Sequence, residues 1–181
     1  MPPTVHTFDW PDRLVIGTVG RPGSRTFYLQ ARTAGRLFSV ALEKEQSAAL
    51  AEKVDELLDE LAATEGNRYS VPDRTPEGLR DDDDLDEPVE EQFRVGALGL
   101  GWDPSTAQLV IEAVPARLLD PDTLEPVGPE PEEALVVRIP VGAARAFAQR
   151  TREVVEAGRP LCPRCGEPMD PDGHTCGLGE G

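Results

Sequence analysis

Three short strand-like blocks followed by a helical stripe occur twice along this chain, and that order restricts its fold more than any other feature. The blocks pair as Ile16-Gly-Thr-Val-Gly20 with Val95-Gly-Ala-Leu-Gly99, Phe27-Tyr-Leu-Gln-Ala31 with Leu109-Val-Ile-Glu-Ala113, and Leu37-Phe-Ser-Val-Ala-Leu42 with Ala134-Leu-Val-Val-Arg-Ile139. Each is rich in β-branched or aromatic residues and bounded by turn formers. After the first set, Leu50, Val54, Leu57, Leu58 and Leu61 recur at three- and four-residue spacing. Phe147, Thr151, Val154 and Val155 repeat the pattern 97 residues further on. Such spacing gives a helix one apolar face to bury. The first two strands of each half are joined by tight polar turns, Arg21-Pro-Gly-Ser24 and Trp102-Asp-Pro-Ser105, which make antiparallel hairpins. Residues 5–8 read as a further strand.

The expected fold is therefore α+β, with two similar β-β-β-α halves and an antiparallel sheet. The halves span about 1–65 and 89–158 of a duplicated domain, residues 1–158, joined by an acidic linker at 66–88. Placed side by side, they would share a core around a pseudo-two-fold axis. The alternative is a single α+β domain without internal symmetry. The Gly17-x-x-Gly20 and Gly96-x-x-Gly99 motifs lie inside strand blocks with neutral or apolar middles, so they mark bulges or close backbone approach, not a nucleic-acid clamp.

The formal net charge is −16, and nearly all of it is local. Residues 65–91 carry a net −8 and residues 120–133 a net −6. Both stretches are Pro-rich and apolar-poor, so solvated, mobile loops are expected. The Asp81 to Asp84 run lacks the spacing of a calcium loop. An acidic surface disfavours nucleic acid as the main ligand. No apolar run approaches the roughly 20 residues that span a bilayer, and Met1 to Thr4 lacks a signal's basic start, so a cytoplasmic location is expected.

Chemistry concentrates at the C-terminus. All three cysteines and one of the two histidines fall in Cys162-Pro-Arg-Cys165-Gly-Glu-Pro-Met-Asp-Pro-Asp-Gly-His174-Thr-Cys176. The two-residue gap lets both thiolates of a Cys-x-x-Cys face one ion, and the following glycine accepts the positive φ of the turn. His174 and Cys176 complete a tetrahedral, closed set for structural zinc, leaving no position for catalytic water. The rival reading is a redox Cys-x-x-Cys. The hook, residues 159–181, has only Leu161, Met169 and Leu178 as sizeable apolar residues, so metal must supply most of its order.

With the Phe27-Tyr-Leu-Gln-Ala31 block, the Leu42-Glu-Lys-Glu-Gln46 helix start and this cysteine run in view, the chain resembles an uncharacterised actinobacterial family. The resemblance covers nearly the whole chain and implies no assigned activity. Genes of that family tend to lie near those for a phosphoinositide-kinase-like protein and a phosphatase of the phosphoglycerate-mutase type, which implies a shared pathway or complex.

An enzyme needs a nucleophile–base set, an open metal or a cofactor loop. The sequence has no Gly-x-Ser-x-Gly, no phosphate-binding Gly-Lys-Ser/Thr and no His-Glu-x-x-His. His6 is expected to be structural, Glu112 to point to solvent, and Glu43 and Glu45 to complement a helix dipole. The expected function is thus a non-catalytic, zinc-containing interaction protein, with a kinase-like partner implied by the resemblance. An enzyme with an unrecognised site, or nucleic-acid binding through the hook near Arg159 and Arg164, are the alternatives.

Overall fold

Every strand block forms a strand and both apolar stripes form helices. In a computed structural model that describes residues 4–21, 23–157, 162–166 and 176, the order begins with β1 (Thr4–Asp9), β2 (Arg13–Val19), β3 (Thr26–Thr33), β4 (Arg36–Leu42) and α1 (Lys44–Ala62). It continues with β5 (Glu91–Asp103), β6 (Gln108–Pro115), β7 (Glu133–Pro140) and α2 (Val141–Glu156). The start of α1 is fixed where the sequence places it: the Gln46 side chain accepts the Glu43 backbone N–H at 2.8 Å, satisfying a donor that the helix leaves unpaired.

The seven strands form one sheet in the order β1-β7-β6-β5-β4-β3-β2. Within each half the strands are antiparallel, as the tight turns require. The expectation of an antiparallel sheet throughout is nonetheless incorrect. The sheet is mixed, because β4 pairs with β5 and β1 with β7 in parallel. The physical reason is the long connection: α1 and the acidic segment carry the chain back to the starting end of the sheet, so β5 runs the same way as β4. Each strand of the second half keeps the direction of its counterpart and lies further along the same sheet. The shared β-β-β-α order remains.

The sheet curls. Its edge strands β1 and β2 are joined by only three residues, so the two edges must approach. At that corner the Trp10 N–H donates to the Arg138 carbonyl and the Asp12 N–H to the Arg32 carbonyl. Both helices pack on the concave face. There Ile16, Leu29, Val40, Ile111 and Val137 are buried against Val54, Leu58 and Phe147. The helices are also tied by charge: buried Arg145 of α2 donates to Asp55 and Asp59 of α1, at 2.9 and 2.6 Å.

The acidic segment is not the free tether that its charge suggests. After α1, it passes beneath α2, where Arg145 donates to the Pro72 carbonyl. It then rounds the β2 edge and lies on the convex face of β2 and β3. Asp81 receives a two-pronged ion pair from Arg13 at 2.7 and 2.9 Å, and the Arg150 guanidinium lies 3.3 Å away. Asp86 pairs with Arg13 and Arg32. Its backbone also makes a reciprocal pair of bonds with the side chain of buried Gln30. Leu85 covers Gly17, where a Cβ would come within 2.6 Å of Leu85 Cγ, so the strand glycine makes room for the strap.

Candidate metal centre

A Cys-x-x-Cys-Gly turn just beyond the end of α2 begins the site. The Gly166 N–H donates to the Cys162 carbonyl at 2.8 Å, and Gly166 takes φ +75°, which glycine adopts without strain. This closes the turn and aims the backbone N–H groups of Cys165 and Arg164 at the Cys162 sulfur. Those two donors, Cys165 first, outweigh burial and lower the Cys162 thiol to about 7. A thiolate is the form that binds metal, so the backbone prepares the ligand before any ion arrives.

Cys176 returns to the same place. The ligand atoms of Cys162, Cys165 and Cys176 all lie within 4.8 Å of one another, and none of the three is in a disulfide. A tetrahedral ion with bonds of about 2.3 Å places sulfurs roughly 3.8 Å apart, so the cluster is of the size that such an ion needs. Convergence of three sulfurs suits a metal better than a two-cysteine redox pair. The fourth expected ligand, His174, lies outside the described residues, as does most of the hook.

The other residues singled out in the sequence are elsewhere and have structural surroundings. The His6 ring lies against Phe38, centroids 4.5 Å apart, and Nε2 is 3.1 Å from Glu133. Glu112 is exposed on the convex face of β6. Gly96 sits at the register shift between Val95 and Ala97, with the backbone of Ala116 against it.

Sequence reasoning missed the cluster of Arg13, Arg32 and Arg150. Desolvation dominates at Arg150 and lowers its pKa, whereas the bond to Asp81 raises that of Arg13 and holds Asp81 below the usual carboxylate range. The missed signal was positional. Arg150 falls three residues after Phe147, on the stripe that faces the core, where a charge requires a partner. A cleft of about 290 Å³ opens beside this cluster, walled by Trp10, Leu14, Leu79, Pro140 and Phe147.

No curated protein and no solved structure matches the chain. No helix among the described residues is long and apolar enough to cross a membrane. A family model does match, over residues 6–176, and the chain belongs to that family, whose description is "Protein of unknown function (DUF3090)".

Proposed function

We propose that this chain is a non-catalytic interaction protein whose C-terminal hook is ordered by one structural zinc ion held by Cys162, Cys165, His174 and Cys176. The observation that carries the reading is the convergence of the three thiols on one point, with backbone N–H groups already stabilising the Cys162 thiolate. Three sulfurs and one imidazole fill a tetrahedral shell, and a filled shell holds structure together without activating water. When bound, zinc would supply the folding free energy that the hook's few apolar residues do not.

Function then follows from surfaces. The β-β-β-α halves, taken as a duplication, form a platform of residues 1–158, and the hook at 159–181 is a separate small module. A protein partner is inferred, with the phosphoinositide-kinase-like neighbour of the family as the first to try. The strap's carboxylates Asp81 and Asp86 are consumed by arginines, so the acidic surface left for steering a partner is that of the strap's exposed acids, such as Asp82 to Asp84, together with residues 120–133.

The test is binding of that purified kinase-like protein by biosensor, with the intact chain and with Cys162→Ser. The reading expects binding that weakens as salt rises, because exposed charges are screened within about 10 Å at 0.1 M. It also expects Cys162→Ser to lose hook-dependent binding while residues 1–158 stay folded. Turnover of a metabolite by the purified chain would replace the reading with an enzyme.

A further inference from the structure

The acidic stretch after β6 is a folded hairpin that turns its apolar side chains outward. The Val127 N–H donates to the Leu118 carbonyl, the Asp120 N–H to the Glu125 carbonyl and the Leu124 N–H to the Asp120 carbonyl, at 2.8–2.9 Å. The Asp120 carboxylate takes the backbone N–H groups of Asp122 and Thr123, fastening the tip. At the base, Arg117 donates to the Gly128 carbonyl. Pro121 and Pro126 restrict the backbone further.

A segment this well bonded would ordinarily bury its leucines. Here Leu118 is 80% exposed and Leu124 71%, with Leu119 and Val127 exposed beside them. These are four of the eight large apolar side chains that stand exposed among the described residues, gathered within ten positions. Leu124 also holds φ +60°, a left-handed conformation that a branched side chain rarely adopts. Backbone strain maintained at an exposed leucine points to a use for that leucine. Clustered exposed apolar groups with a polar rim mark contact sites.

The rim identifies the partner's chemistry. Asp122, Glu125 and Glu132 lie exposed among or just beyond the leucines in the chain, Glu130 pairs with Arg117, and no base lies between residues 120 and 133. We propose that residues 118–127 form a preformed docking element. Leu118 and Leu124 enter an apolar groove on a partner protein, and Arg or Lys on the groove's rim meet the carboxylates. The inference deepens the reading of this chain as an interaction protein and rests on it. It adds the surface and the partner's character. A lipid surface fits less well, because the acids at the tip would be repelled by the negative surface of an anionic membrane.

The probe is a random dodecapeptide library displayed on phage, panned on the intact zinc-loaded chain at low salt. The expected peptides carry two or more large apolar residues flanked by Lys or Arg. Their synthetic forms should bind the Leu118→Ser/Leu124→Ser variant at least tenfold more weakly than the parent. They should bind Asp122→Asn/Glu125→Gln more weakly with a smaller salt dependence, and Cys162→Ser as tightly as the parent. Circular dichroism and Tm of each hairpin variant should match the parent, since these side chains bury little. Peptides that bind the leucine variant as well as the parent, or no enrichment at all, overturn the proposal. Peptides lost with Cys162→Ser and kept with the leucine variant place the contact on the hook instead, which leaves the interaction reading standing. Leucine-dependent binding to phosphatidylcholine vesicles with no peptide enrichment reassigns the hairpin to lipid and overturns it.

Discussion

Four consecutive aspartates have unequal roles in this fold, and substituting them one at a time tests how the strap is held. Asp81 accepts two N–H groups from buried Arg13 and lies 3.3 Å from buried Arg150. Charge-assisted hydrogen bonds contribute about 1.5–3 kcal/mol each, and breaking a buried pair from one side costs about 3–5 kcal/mol. Two features reduce that figure. The Asp81 side chain is 29% exposed, so water replaces part of what is lost. Arg13 also keeps Asp86 and the Asp83 carbonyl, and Arg150 keeps the Ile16 carbonyl. Asp81→Ala should therefore cost about 2–3 kcal/mol, with Tm lower by about 5–10 °C for a chain of this size. Asp82 pairs with Arg80, the two side chains being 63% and 53% exposed, so Asp82→Ala should stay within about 0.5 kcal/mol of the parent. Urea unfolding followed by far-ultraviolet circular dichroism reads both, with m unchanged if only native stability moves. Equal effects of the two substitutions would refute the clamp and return the run to a solvated linker.

Acid should weaken the same clamp. The Arg13 bond lowers the folded-state pKa of Asp81 below its unfolded value of about 3.9, so its contribution is complete above that value and disappears as pH falls through the lower, folded one. Urea midpoints of the parent and Asp81→Ala should therefore converge toward pH 2, and a constant gap would contradict this. Gly96→Ala should cost about 1–3 kcal/mol, because its Cβ would lie 2.5 Å from the Ala116 Cα and only the backbone could yield; an unchanged midpoint would show that the bulge relaxes freely. Arg145→Met should cost about 2–4 kcal/mol by leaving Asp55 and Asp59 without their shared guanidinium, discounted because Asp59 is largely exposed. Arg152, which also pairs with Asp55, sets the lower end.

The elements were legible because hydrophobic periodicity is local. Ile16, Leu29 and Val40 alternate with residues of the opposite face, and Leu50, Val54, Leu58 and Leu61 repeat on one helix face, whatever the rest of the chain does. Strand order was not legible, because β4 beside β5 depends on where α1 and the 28 residues that follow it deliver the chain. The route of that connection is set by contacts between distant residues. Arg13 is 68 positions from Asp81 and Arg150 is 69, and neither pairing leaves a periodic trace. Composition pointed the wrong way here: a run of aspartates with little to bury reads as solvated, until the buried arginines that need those carboxylates are located. The cysteines were legible from spacing, since a two-residue gap followed by glycine makes the turn that the backbone adopts at Gly166.

Metal content tests the central claim most directly. The intact chain, purified without added metal, should contain about one zinc per chain by elemental analysis, with native mass spectrometry giving the same stoichiometry, as a filled four-ligand site implies. Cys162→Ser should contain none and should keep the circular dichroism of the parent's sheet and helices. A metal-free parent, or stoichiometric zinc retained by Cys162→Ser, would contradict the account.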